Sequence, residues 1–166
     1  YLARAGHQVR VVTPLYRGIR RRFPDLRKLE LRITLPLGFD HSQAQIWTLQ
    51  PSENLTLYFI DQPELFDRSG LYQEGRDDYP DNPERFIYFS KCVAHLARNL
   101  QWQPEIVHVH DWQVGLVPLL IRQQQSFAAW RTPPGTCFTI HNQAFQGHFL
   151  GAKFGLTNLG GDFFHN

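Results

Sequence analysis

Methionine is missing from the whole chain, position 1 included, and only two cysteines occur among its 166 residues. Cys92 and Cys137 lie far apart, each in an apolar stretch. Two such thiols are too few for a disulfide framework and are expected to be reduced core residues of an intracellular protein. No apolar run is long enough to span a bilayer, and the opening residues carry charge where a signal peptide would be hydrophobic. An excess of one charge is lacking too: a formal net charge of +2 gives no electrostatic reason to expect a nucleic-acid or membrane partner. A local basic run (Arg17, Arg20, Arg21, Arg22, Arg27, Lys28 and Arg32) reads as a solvated face or as a patch for an anionic ligand. It has none of the interleaved aromatics of a nucleic-acid site. Internal repeats and low-complexity tracts are absent.

What is present favours a packed fold. Apolar residues make up 42% and aromatics 14% of the chain, far above the composition of a disordered segment. The length suits one domain able to bury about two-thirds of its unfolded surface. Leu2-Ala3-Arg4-Ala5 followed by Gly6 reads as the tail of a helix with its C-cap glycine, and the strand-like Val9–Thr13 follows at once. A helix tail at the start predicts an earlier strand and helix upstream, so the chain is expected to be a piece of a longer protein.

Further strands are predicted at Leu31–Leu35, Ala44–Leu49 and Leu55–Ile60, the last two separated by the turn-like Pro51-Ser52-Glu53-Asn54. They suggest a small antiparallel excursion on a larger sheet. Residues 61–81 read as a polar loop. Asn82 is a good N-cap, Pro83 fits the first helical position and Glu84 suits the positive end of the dipole. A helix then follows with one apolar stripe: Phe86, Phe89, Val93, Leu96, Ala97 and Leu100. A strand over Ile106–His110, a helix over Val114–Gln124 and a strand over Thr136–Ile140 complete an alternation that argues for parallel pairing. The fold class expected is α/β, a Rossmann-like three-layer domain with a mostly parallel sheet.

Two of these strands end in polar clusters, His110-Asp111-Trp112 and His141-Asn142-Gln143. Open parallel sheets bind ligands beyond the carboxyl ends of their strands. If the two strands are neighbours, Asp111 and His141 face one pocket. His108 and His110 point to the same side of a strand, so with Asp111 and His141 they invite a metal reading. His148 and His165 are the other candidate ligands. The competing reading makes His108 a partly buried, hydrogen-bonded structural residue. Trp112 and Phe145 are either core residues or platforms for a sugar ring, and Asp111 is either a helix N-cap or a ligand group.

These residues carry a resemblance. His108-Val109-His110-Asp111-Trp112-Gln113-Val114-Gly115-Leu116 resembles the H-x-HDW-x-x-GL segment of glycogen and starch synthases. Thr139–Gly147 resembles their TIHN-x-x-YQG segment, with Phe145 in the place of the usual Tyr. Tyr79–Phe86 resembles their Y-x-DN-x-x-RF segment, and Leu2–Pro14 their first crossover. The resemblance implies that residues 1–166 are part of the N-terminal catalytic domain of a GT-B glycosyltransferase. The first strand and the glycine-rich loop would lie upstream, and the nucleotide-binding domain downstream. It implies retaining transfer of glucose from ADP-glucose to the non-reducing end of an α-1,4-glucan, with no cofactor and no metal, in the bacterial cytoplasm or a plastid. By position, His141 and Asp111 would be catalytic and would bind substrate together with Asn142 and Trp112. The glycine-rich loop, the pyrophosphate-binding cations and the catalytic Glu of the family lie outside these residues, so the chain alone is expected not to transfer glucose. With the first strand gone, Val9–Thr13 and Ile106–His110 would lack a shared neighbour, and the isolated chain is expected to be marginally stable. The alternatives are a metal-dependent hydrolase built on His108, His110, Asp111 and His141, and a non-catalytic glucan-binding module.

Overall fold

A computed structural model describes residues 1–124 and 132–164. The chain divides into two compact units, Tyr1–Thr34 with Gln43–Asn82, and Leu35–Ser42 with Pro83–Asn166.

The first unit is organised on a four-stranded sheet of order β1-β4-β3-β2. Its strands are β1 (Val9–Pro14), β2 (Arg27–Leu37), β3 (Asp40–Ser52) and β4 (Leu55–Asp61). β1 and β4 run parallel, Val9 opposite Leu55 and Pro14 opposite Ile60, whereas β3 and β4 are antiparallel, so the predicted excursion is present. β4 is an inner strand, and its consecutive Tyr58, Phe59 and Ile60 are all buried, as residues facing both covered sides of a sheet should be. β2 and β3 are longer than their apolar alternation announced. Their ends are polar and held by cross-strand bonds such as Gln43 Nε2 to Thr34 Oγ1 at 3.0 Å, a pairing that a hydrophobic pattern does not record. Residues 61–81 are more ordered than a loop. The short helix α2 (Pro63–Phe66) is capped by the Gln62 side chain and buries Phe66, and two-residue strands β5 (Gln73–Glu74) and β6 (Asp77–Asp78) pair around Gly75. The basic run forms the four-residue helix α1 (Ile19–Arg22) and the start of β2. At the N-terminus, Leu2–Ala5 is a 3₁₀ turn closed by Gly6 at φ 91°, as its sequence predicts.

The second unit is built on helix α3 (Asn82–Asn99) and a parallel pair, β7 (Ile106–His110) and β8 (Gly135–Thr139). α3 departs from the single apolar stripe expected. Arg85, Phe86, Ile87, Tyr88, Phe89, Ser90, Lys91 and Cys92 are all buried, the pattern of a central helix covered on every side. The covering elements are visible in its contacts. Tyr88 bonds Ser42 at the β2–β3 turn, Ser90 donates to Gln113 O at 3.3 Å, and Phe86 meets Trp112 edge-on. Burial pushes the Cys92 thiol up to about 12, so it is an inert core thiol as predicted. Cys137, by contrast, is exposed. Among the described residues β8 pairs with β7 alone and is exposed over Gly135–Phe138, which its apolar neighbours in sequence did not reveal.

Lys91 ties this unit together. Its ammonium donates to Pro36 O at 2.7 Å, Leu156 O at 2.9 Å and Asn158 Oδ1 at 2.5 Å. One buried cation thus holds the β2–β3 turn and the 3₁₀ segment Gly151–Thr157 to α3. Burial pulls its pKa down to about 8, which still leaves it charged at neutral pH. Lys91→Met is expected to cost about 1–3 kcal/mol, because the methionine fills the stem but takes the donor from three acceptors, of which the carbonyls of Pro36 and Leu156 are half-buried. Urea denaturation checks this, and an unchanged midpoint would refute it.

The predicted helix after β7 begins with a 3₁₀ turn, Trp112–Val114, before α4 (Val117–Gln124). Val117, Leu120 and Ile121 of α4 pack with Val109 of β7 and Ala94 of α3 in one buried cluster. β7, α4 and β8 therefore make a parallel β-α-β unit, the element that positions the candidate site. Among the described residues β1 and β7 each have a single strand neighbour. No helix among the described residues is long and apolar enough to cross a membrane.

Candidate functional site

β7 and β8 pair in register from Ile106 opposite Gly135 to His110 opposite Thr139. The ladder continues one step, with Asp111 N donating to Thr139 O at 2.9 Å. The two polar clusters predicted from sequence therefore leave neighbouring parallel strands at the same end. The carboxylate of Asp111 accepts the backbone N–H of His141 at 2.7 Å. This bond fixes the tip of β7 to the tip of β8 through Asp111 Oδ1.

Asp111 adopts φ 60°, ψ 178°. That region is close to glycine-only, and a side chain held there costs about 1–3 kcal/mol. Such strain persists only where surrounding structure enforces it; here the strand ladder below and the bond to His141 do so. Asp111 precedes the Trp112–Val114 turn in the N-cap position, but its side chain caps nothing. The N-cap reading is thereby replaced: the carboxylate reaches across to β8.

On the open face of the strands three imidazoles lie in a row. His108 Nε2 meets Thr139 Oγ1 at 2.7 Å, the rings of His108 and His110 are 4.2 Å apart, and His110 Nδ1 meets His141 Nε2 at 3.0 Å. His108 is hydrogen-bonded as the structural reading holds, but it is exposed, because β7 alternates and Val107 and Val109 take the covered face. Partial desolvation, and then the neighbouring His108 and His141, hold the His110 pKa below its ordinary value, with Asp111 opposing them. Among the described residues no three His, Cys, Asp or Glu side chains are placed to hold a metal ion. The His110 and His141 nitrogens face each other rather than a common centre. His148 is exposed, and His165 lies outside the described residues.

Trp112 is an anchor. Its half-buried ring meets Phe86 at 5.0 Å and Phe149 at 5.5 Å, both edge-on, and it lines a pocket of about 250 Å³ with Ser90, Gln113 and Lys153 at its polar points. The backbone of Gly147, at φ 63°, lies against the same ring, where a Cβ would come within 2.5 Å of it. Gly147→Ala is expected to destabilise by about 2–4 kcal/mol, from overpacking and left-handed backbone together. A thermal melt within a degree of wild type would contradict this. Asn142 Oδ1 accepts from Ala144 N at 3.0 Å, so that side chain shapes the turn after β8. Phe145 is 57% exposed, so it is not a core ring.

The basic run is exposed throughout, as the solvated-face reading expects, but two of its arginines have acidic partners. Arg17 Nε pairs with Asp67 at 2.7 Å, and Arg20 pairs with Asp61 while lying 4.4 Å over the Trp47 ring. These partners frame a pocket of about 420 Å³ with Tyr16 and Arg21 in the first unit. Nothing in the local sequence signals acidic partners so far along the chain.

Comparison with known proteins shows what the chain is similar to. The family described as the starch synthase catalytic domain matches residues 1–166. A glycogen synthase of Opitutus terrae is 38% identical over 95% of this chain and 33% of its own length. One from Syntrophotalea carbinolica is 38% identical over 89% of this chain and 30% of its own length. Among solved structures, the catalytic domain of starch synthase IV from Arabidopsis thaliana, bound to ADP and acarbose, superposes with a TM-score of 0.78 at 28% identity. It covers 97% of this chain and 32% of its own. The chain thus spans about a third of the length of these relatives.

Proposed function

This chain belongs to the family of starch synthase catalytic domains, and we propose that it forms part of the N-terminal half of a GT-B glycosyltransferase. The reaction we assign is retaining transfer of glucose from ADP-glucose to the non-reducing end of an α-1,4-glucan. The observation that carries this reading is the junction of Asp111 and His141 at adjacent parallel strand tips, with the Asp111 carboxylate on the His141 amide. With Nε2 of His141 engaged by His110, Nδ1 is the nitrogen left for a donor-sugar hydroxyl, and Asp111 Oδ2 is left for a second one. Fixed polar groups of this kind favour an oxocarbenium-like centre in a closed cleft, because they need no reorientation as its charge develops. Asn142 and Trp112 serve the site by shaping the loop, and Phe145 offers its exposed ring to a sugar face. The glycogen synthase relatives are bacterial and the solved structure is from a plant, which supports a bacterial cytoplasm or a plastid as the place of action.

Incorporation of radiolabelled glucose from ADP-glucose into glycogen by the full-length enzyme tests the assignment. The chain of residues 1–166 alone is expected to give none, since most phosphate affinity in such enzymes comes from helix N-termini and cations that this site does not contain. We also assign no resident cofactor, so transfer is expected to survive exhaustive chelation. Loss of activity on chelation, restored by a divalent metal, would favour the hydrolase-type cluster of His108, His110, Asp111 and His141 instead. A glucan-binding module without catalysis would bind glycogen in the same experiment and release no ADP.

A further inference from the structure

We infer that His110 is a positioning residue for His141: its Nδ1 fixes the orientation of the His141 ring by engaging Nε2, so that Nδ1 of His141 is the nitrogen presented to the sugar. The inference rests on the transferase reading for its consequence, but its geometry is independent of that reading.

His141 is exposed and follows the end of β8, so no packing locks its ring. A side chain in that setting samples several rotamers unless a neighbour holds it. His110 is that neighbour, with Nδ1 at 3.0 Å from His141 Nε2 and the two rings inclined by only 22°. His110 is itself restrained from the other side by the His108 ring at 4.2 Å, and His108 is tied to Thr139 Oγ1 at 2.7 Å. The order of restraint therefore runs Thr139, His108, His110, His141, entirely across the β7–β8 pair. When one ring nitrogen of a histidine is committed to a partner, the other is left with a defined role as donor or acceptor. The lowered pKa of His110 keeps this partner neutral at neutral pH, so it does not place a second positive charge beside a centre that is itself becoming positive.

The atom involved makes the inference sharp. Nδ1 is bonded directly to Cγ, as are the amide atoms of asparagine; a glutamine amide lies one bond further out. His110→Asn is therefore expected to keep kcat/KM within about threefold of wild type, the scale of one altered hydrogen bond. His110→Gln and His110→Phe are expected to lose roughly tenfold to a hundredfold, mainly in kcat, the scale of a misplaced group. Phe keeps the ring stack on His108, so a loss through packing alone would spare it. Equal activity in the Asn and Phe variants, in either direction, would overturn the inference.

A second readout does not depend on catalysis. In nitrogen-labelled histidine NMR spectra of the full-length protein, the His141 ring is expected to show one dominant tautomer in wild type and His110→Asn. In His110→Phe it is expected to relax to a mixture. An unchanged His141 signal in His110→Phe would refute the positioning role even in an active enzyme. A wild-type protein that shows the tautomer effect but transfers no glucose would instead refute the proposed function alone.

Discussion

Replacing His141 by alanine in the full-length enzyme is expected to lower kcat for glucosyl transfer by about 10²–10³-fold, with KM for ADP-glucose changed much less. The magnitude is that of removing one preorganised polar group from a site of developing charge. The split follows because a contact that strengthens only as the anomeric centre becomes positive contributes little to ground-state binding. Folding should be nearly unaffected. The imidazole is exposed, and its partner His110 is exposed as well, so its loss strands no buried group. The backbone amide of His141, which bonds Asp111, survives the substitution. Steady-state kinetics with a parallel thermal melt checks both halves. An equal fall in kcat and melting temperature would mean that the residue holds structure and not substrate.

Asp111 is expected to separate stability from activity as well. At φ 60°, ψ 178° its own side chain opposes the backbone it occupies. Asp111→Gly removes that opposition while losing the bond to His141 N. The two effects are of similar size, so stability should stay within about 1 kcal/mol of wild type. Asp111→Ala loses the bond and keeps the strain, and should fall about 1–3 kcal/mol below the glycine variant. Both variants are expected to lose about 10²-fold or more in kcat, because neither restores a carboxylate at the strand tip. A glycine variant that keeps wild-type kcat would show that the Asp111 carboxylate takes no part in transfer.

The parallel unit that carries both residues was legible because its signals are local. Ile106–His110 is a short apolar run bounded by Pro104 and a polar cluster, and Gly135–Thr139 repeats the pattern, so strand type and the shared end followed from chain direction. That shared end already put Asp111 and His141 at one pocket, and the motif resemblance added the roles expected of them. Other features depend on partners far away in sequence and were not legible. Arg17 and Arg20 look like surplus charge until Asp67 and Asp61 meet them from the far side of the sheet strands. Lys91 reads as a polar residue on a helix, but its acceptors lie at Pro36, Leu156 and Asn158. The same holds for the burial of α3 on all sides, which no single helical period encodes, and for the exposure of Cys137, which depends on what covers β8. The role of Asp111 shows a local rule losing to a tertiary one: a residue well suited to cap the following turn is drawn instead to the amide of its neighbouring strand.

Whether the tips of β7 and β8 bind the transferred sugar is decided by a crystal structure of the full-length enzyme with ADP and a malto-oligosaccharide. His141 Nδ1 and Asp111 Oδ2 are each expected within about 3 Å of a sugar oxygen. A sugar bound in the cleft with both side chains out of hydrogen-bonding reach, and the His141 ring still turned onto His110, would contradict it.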